Sequence, residues 1–122
     1  MTATNETCEL LCLDIPKAER IRENLPDLEM LNDASSRAKA LSDPNRLGIA
    51  IALDQGGEMC VCDLSWVVGR QDKIVSHHLR LLKGAGVAAS RKDGKMVLYS
   101  LTETGANLLR AVVGRTSGQI SV

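Results

Sequence analysis

The sequence predicts a single domain of mainly α (α+β) class, in which two short helices joined by a tight turn precede a two-stranded hairpin. Apolar residues recur at steps of three and four over most of the 122 residues, which is the period of amphipathic helices. Gly69-Arg70-Gln71 separates two such stretches, and Asp93-Gly94 separates two β-prone runs. Because aromatic residues make up only 2% of the chain, the core must be aliphatic. A small aliphatic core favours a homodimer.

The N-terminal half is predicted to hold an arm and three helices. Residues 1–15 are read as a flexible arm, polar except around two cysteines. A proline in the first turn starts a helix over 16–24. Residues 28–41 follow as an amphipathic helix, broken near Asn32-Asp33. Asp43 caps a third helix that runs over 45–53 and is largely buried.

The next two helices form a helix-turn-helix. Asp63 is expected to cap a helix that ends at Val68, and Trp66 on that helix is expected to lie in the core. Asp72 is expected to cap the second helix, which runs to Lys83. One face of this second helix is apolar and points inward, while the other is polar and suits the edge of a DNA major groove. The inward residues are Val75, Leu79 and Leu82, and the outward residues are Lys73, Ser76, His77 and Arg80.

A basic hairpin and one more helix complete the domain. Residues 87–91 and 96–101 read as strands, so that the hairpin is the wing of a winged helix-turn-helix and lies against DNA phosphates. Its basic tip carries Arg91, Lys92 and Lys95. Thr102 caps a last, apolar helix, and we expect the domain to dimerise through its N- and C-terminal helices. The domain therefore spans 16–113, followed by a frayed tail over 114–122.

Charge is concentrated around the helix-turn-helix and the wing. The whole chain has a net charge of zero, but residues 70–95 hold seven basic and two acidic residues, a local charge of +5. A local positive field is what binding to double-stranded DNA requires. The sequence contains no apolar run that could span a bilayer and no signal-peptide pattern, which predicts a cytoplasmic protein without a membrane partner.

All four cysteines fall in two pairs, Cys8 with Cys12 and Cys60 with Cys62. Thiols stay reduced in the cytosol, so paired cysteines there favour metal ligation over structural disulfides. Thiolates select soft ions such as Cd(II), Pb(II), Zn(II), Hg(II) or trivalent arsenic. Four sulfurs close a tetrahedral shell and leave no position for a catalytic water, which favours a sensing or structural site. Oxidation of Cys60 and Cys62 in a redox sensor is the alternative, although a Cys-x-Cys disulfide closes a strained ring.

An enzyme is not expected from this sequence. A thiol phosphatase or arsenate reductase needs an arginine six residues after its cysteine, and none of the four cysteines has one. The sequence also has no glycine-rich nucleotide loop and no set of catalytic Ser, His and Asp residues. A small organic substrate is therefore not expected either.

These motifs resemble the ArsR/SmtB family of winged-helix metal sensors. The carrying motifs are Ser-Asp-Pro-Asn-Arg (42–46), Cys-Val-Cys-Asp-Leu (60–64), Val-Ser-His-His-Leu-Arg-Leu-Leu (75–82), and Asp-Gly-Lys (93–95) with Tyr-Ser-Leu (99–101). The arm motif Thr-Cys-Glu-Leu-Leu-Cys (7–12) resembles the branch of the family that senses cadmium and lead.

The resemblance implies a repressor that binds an operator with an inverted repeat when metal-free and leaves it when Cd(II) or Pb(II) binds, with Zn(II) as a further candidate. It also implies that Cys8 and Cys12 of one subunit complete a metal site with Cys60 and Cys62 of the other. An arsenite- or mercury-responsive member of the family remains an alternative. Some relatives carry a second zinc site on the last helix, but this chain has no histidine after His78, so that site is expected to be absent.

Overall fold

The computed structural model describes residues 12–114. The predicted flexible arm and C-terminal tail lie mostly outside this range, and Cys8 lies outside it entirely. The described elements, in chain order, are α1 (Ile15–Asn24), α2 (Leu28–Ala40), α3 (Pro44–Gly56), α4 (Val61–Val68), α5 (Asp72–Gly84), β1 (Ala88–Asp93), β2 (Met96–Leu101) and α6 (Glu103–Val113). The predicted winged helix-turn-helix is thus confirmed, with α4 and α5 as its two helices and β1–β2 as its wing.

Side-chain caps define the starts of four helices. The carboxylates of Asp14, Asp27 and Asp43 accept backbone hydrogen bonds at the starts of α1, α2 and α3. Thr102 does the same for α6 through the amide of Gly105, at 2.9 Å. Each cap satisfies amides that have no partner inside the helix, which is why the chain turns into helix at these residues.

The core is aliphatic, as the composition predicts. It lies where α3, α4, α5 and the base of the wing meet, and α6 closes it. The inward face predicted for α5 is confirmed, since Val75, Leu79 and Leu82 are all fully buried. The largest other buried side chains are Ile49, Leu53, Leu64, Val87 and Leu109.

Two local expectations for the first four helices are wrong. The helix α2 continues through Asn32 and Asp33 without a break, because the modest cost of two poor helix formers, about 0.7 kcal/mol each at most, does not outweigh the cap at Asp27. The N-cap of α4 is Cys60 rather than Asp63. Cys60 follows directly on an antiparallel bridge at Met59, so the chain leaves the extended conformation three residues earlier than predicted.

Three further expectations are also wrong. The N-cap of α5 is Gln71, and Asp72 is the first residue of that helix rather than its cap. Asp93 pairs with Met96 across the hairpin, so the two-residue turn is Gly94-Lys95 instead of Asp93-Gly94. Gly94 has a φ of +64°, the left-handed value that a glycine at the first turn position adopts most easily. Trp66 is 84% exposed rather than buried, because Leu64 and Ser65 occupy the inward face of α4.

Candidate metal centre and nucleic-acid interface

Cys60 and Cys62 stand at the N-terminus of α4, immediately before the helix-turn-helix. Cys60 is the N-cap residue in an extended conformation, and its thiol makes no capping hydrogen bond. Cys62 is exposed in the first turn, and Cys60 is half-buried. A thiol is a weak acceptor, so neither sulfur is committed to holding the helix end. Both sulfurs are therefore available to bind a soft metal ion.

The Cys62 thiol lies beside an acid of the next helix. Its Sγ is 3.8 Å from Oδ2 of Asp72, the first residue of α5. The negative charge of Asp72, followed by burial and the neighbouring Cys60, raises the pKa of Cys62. A raised pKa keeps the sulfur protonated and slow to react as a nucleophile, since the thiolate is the reactive form. A bound soft metal displaces that proton, because a coordinating thiol is deprotonated outright.

The described residues of one chain do not gather a complete metal shell. Between residues 12 and 114, no group of three or more Cys, His, Asp or Glu side chains is arranged to hold a metal ion. Cys12 is exposed just before α1, and Cys8 precedes the described residues. The pair Cys60 and Cys62 thus supplies two sulfurs at one place, and further ligands must come from elsewhere.

The outward face of α5 is open as predicted. Lys73, His77 and Arg80 are exposed, and Ser76 is half-buried between them. Their spacing of three and four residues aligns them along one side of a helix whose opposite side is fully buried. A helix held rigidly by its apolar face and presenting donors on the other is suited to reading base edges in a major groove.

A basic cleft, not foreseen from the sequence, lies between α2 and α5. It has a volume of about 460 Å³ and is lined by Ser36, Lys39, Arg46 and Arg80 among others. The Arg46 guanidinium donates to the Ala40 carbonyl at 2.8 Å and approaches Nδ1 of His78 at 3.5 Å. Burial beside these groups lowers the pKa of His78. Basic side chains of α2, α3 and α5 therefore meet around one cleft, a juxtaposition that no local sequence pattern encodes.

The wing carries its three predicted basic residues on the surface. Arg91, Lys92 and Lys95 are all exposed. Arg91 is also paired with Glu58, through Nε at 2.6 Å and Nη2 at 2.7 Å. Lys83 at the end of α5 donates to the Ser90 hydroxyl at 2.8 Å, which joins strand β1 of the wing to α5.

The N-terminal helices expose much apolar surface. No residue of α1 is buried, and α2 buries only Ala40. Large apolar side chains of these helices and of α6 remain exposed by between 46% and 71%: Ile15, Ile21, Leu28, Met30, Leu31 and Val112. Large apolar side chains that stay exposed on helices with so little buried surface indicate a protein–protein interface. None of the helices within residues 12–114 has the length and apolar character needed to cross a membrane.

Comparisons with known proteins agree with this architecture. Residues 43–90 match the model of the family described as "Bacterial regulatory protein, arsR family". The chain is 40% identical over 100 residues to a cadmium resistance transcriptional regulatory protein CadC homolog of Staphylococcus aureus, covering 82% of each chain. It is 38% identical over 117 residues to the CadC of Listeria innocua, covering 89% of this chain and 98% of that one.

Solved structures show the same fold. The homodimeric winged helix-turn-helix DNA-binding domain Mb0332 of Mycobacterium bovis superimposes with a TM-score of 0.66 at 28% identity, over 73% of this chain and 84% of that one. The relatives named above are transcriptional regulators, and the chain is accordingly a regulator rather than an enzyme. Since similarity to these regulators extends over more than four fifths of its length, the chain belongs to the ArsR family of bacterial regulatory proteins.

Proposed function

We propose that this chain is a homodimeric, metal-sensing transcriptional repressor of a metal-resistance gene. In this proposal the metal-free dimer binds operator DNA, and Cd(II) or Pb(II) held by cysteine thiolates releases it, with Zn(II) as a further candidate. The observation that carries the proposal is the position of two thiols, Cys60 and Cys62. Both lie at the N-terminus of α4, and α4 directly precedes α5, the proposed recognition helix. Similarity to cadmium-resistance regulators over most of the chain supports the same reading.

The proposed metal ligands are Cys60 and Cys62 of one subunit with Cys8 and Cys12 of the other. Two sulfurs cannot close a shell around a soft ion, and the described residues of a single chain do not gather three or more Cys, His, Asp or Glu side chains into a metal site. In this proposal, the arm of residues 1–15 reaches across the dimer and supplies the two further sulfur ligands. The raised pKa of the Cys62 thiol slows its oxidation, since the thiolate is the reactive form.

The proposed DNA contacts divide between base reading and phosphate binding. The exposed face of α5, with Lys73, Ser76, His77 and Arg80, enters the major groove. The wing residues Arg91, Lys92 and Lys95 bind the adjacent phosphates. Two such readers related by a twofold axis match the half-sites of an inverted repeat, about one helical turn apart.

The apolar surface of the terminal helices supports a dimer. The side chains that α1, α2 and α6 leave exposed are what a second copy would bury within the domain of residues 16–113. The homodimeric state of the M. bovis domain also supports a dimer. Closure of an arm across this interface then alters the spacing of the recognition helices, so that metal and operator oppose each other through a reciprocal coupling free energy. Such a repressor works in the cytoplasm, where thiols stay reduced.

The deciding experiment is an operator-binding titration under reducing, anaerobic conditions with each metal in turn: Cd(II), Pb(II), Zn(II), Hg(II) and arsenite. Fluorescence anisotropy of a labelled operator measures release, and peroxide treatment of the metal-free protein tests the redox alternative. Cys60→Ser should bind operator with wild-type affinity and ignore the metal. Metal-induced release that persists in Cys60→Ser would remove this cysteine from the mechanism. Release by peroxide, with no response to any metal, would favour the redox sensor.

A further inference from the structure

Glu58 lies at the junction between the cysteine segment and the wing. Its two carboxylate oxygens accept hydrogen bonds from Nε and Nη2 of Arg91 at 2.6 and 2.7 Å, although the two residues are 33 positions apart. Cys60 follows Glu58 by only two residues. The pair thus joins the segment that carries the candidate metal ligands to the strand that carries a candidate phosphate contact.

The backbone makes a second link at the same place. The Met59 amide donates to the Tyr99 carbonyl at 2.9 Å, and the Tyr99 amide donates back to the Met59 carbonyl at 2.8 Å. Tyr99 in turn pairs with Ser90 across the wing, next to Arg91. The residues before α4 therefore extend the wing by one antiparallel bridge. Any displacement of Cys60 must be passed through Met59 to this bridge, because the two residues are covalent neighbours.

Arg91 faces two alternative partners. Its side chain is 54% exposed, so phosphate can reach it, yet the edge that carries Nε and Nη2 is already occupied by Glu58. That planar edge binds carboxylate and phosphate in the same bidentate way. Arg91 therefore cannot satisfy Glu58 and a DNA phosphate with the same donors at the same time.

We propose that Glu58 is a positioning residue that couples the cysteine site to the wing. It holds Arg91 away from the operator backbone in the DNA-free protein, and metal ligation at Cys60 strengthens that hold. DNA binding moves Arg91 from Glu58 to a phosphate. The operator therefore favours the contact of Arg91 with phosphate, whereas the metal favours its pair with Glu58. This inference rests on the proposed function and names a contact through which its coupling acts.

The test compares full-length wild type with Glu58→Gln, using operator anisotropy with and without Cd(II). Release of Arg91 should tighten metal-free binding about five-fold for the dimer. The slope of log K against log[salt] should stay close to its wild-type value, since Arg91 contacts a phosphate in both operator complexes. The Cd(II)-induced loss of affinity should shrink by about three-fold or more. Ultraviolet thiolate-to-Cd(II) absorption checks that the variant still loads the metal.

Asp93→Asn is the matched control, because Asp93 acts on Arg91 only through its charge, and its replacement leaves the Glu58–Arg91 hydrogen bonds in place. It should tighten metal-free binding slightly and leave the Cd(II) response at its wild-type size. Arg91→Lys changes the other partner of the pair. Lysine keeps the positive charge that binds phosphate, but it lacks the planar guanidinium that holds Glu58 through two hydrogen bonds. The Cd(II) response should shrink in this variant as it does in Glu58→Gln.

The outcomes separate the inference from the function on which it rests. A Glu58→Gln protein that loads Cd(II) and shows the full wild-type drop in affinity would refute the role of Glu58. So would a Glu58→Gln effect of equal size in an Arg91→Gln background, where the guanidinium is already gone. Wild-type protein that loads Cd(II) yet holds its operator unchanged would instead refute the proposed function itself.

Discussion

Gly105 in the first turn of α6 is the position where one added methyl group should do most damage. It is buried, and a Cβ built there would overlap the carbonyl oxygen of Val87 and lie 2.9 Å from the carbonyl carbon. The same carbonyl oxygen accepts hydrogen bonds from the Thr102 amide at 3.0 Å and the Thr102 hydroxyl at 3.2 Å. The obstacle is backbone held by two bonds, so it cannot swing aside as a side chain would. The whole of α6 must shift instead.

The magnitude follows from two opposing effects. Alanine in place of glycine favours a helix by about 1 kcal/mol. Overpacking at a rigid site costs about 1–3 kcal/mol, and a backbone obstacle places this site at or above the upper end. Gly105→Ala should therefore lower the free energy of unfolding by about 2 kcal/mol. Gly48→Ala in α3 is the control, since nothing lies within 4 Å of its added Cβ. It should stabilise the protein by about 0.5–1 kcal/mol.

Urea unfolding followed by circular dichroism measures both variants at one protein concentration. Sedimentation equilibrium adds the dimer dissociation constant, which Gly105→Ala should raise because α6 belongs to the proposed interface. Equal stability of Gly105→Ala and Gly48→Ala would refute this account, since it would mean that the contact between α6 and Val87 has space for an added methyl group.

Two further predictions concern a helix cap and the recognition helix. Asp43→Ala should lower the stability measurably, and Asp43→Asn much less, because asparagine can still cap α3. The hydrogen bond from the Arg46 amide chiefly lowers the pKa of Asp43. The charged cap therefore stabilises the fold above its unfolded pKa of about 3.9, and this contribution is lost as pH falls through the lower folded value. The stability differences among the three proteins should therefore be largest near neutral pH and should narrow as the pH falls through this range, which urea unfolding at a series of pH values measures. Arg80→Gln should weaken specific operator binding by about 1–3 kcal/mol and leave the metal affinity unchanged. Equal loss on operator and random DNA would show that Arg80 binds phosphate rather than bases.

Several features could be predicted from the sequence because they depend on local chemistry. The buried face of α5 follows from Val75, Leu79 and Leu82 at helical spacing, and all three are fully buried. The sequence also predicts the caps of α6 at Thr102 and of α3 at Asp43, and both are confirmed. Each of these features depends on residues within one or two turns of one another. The cysteine pairs are also visible in the sequence, although which atoms complete their site remains a proposal.

Features that join distant segments were decided by the tertiary structure. Trp66 is exposed because α4 turns Leu64 inward, and the start of α4 at Cys60 follows from the bridge between Met59 and Tyr99. The pair of Glu58 with Arg91 joins positions 33 apart. Sequence periodicity reports which face of an element is apolar, because that depends on neighbours along the chain. It cannot report which face of another element lies opposite, because that depends on how the whole core packs.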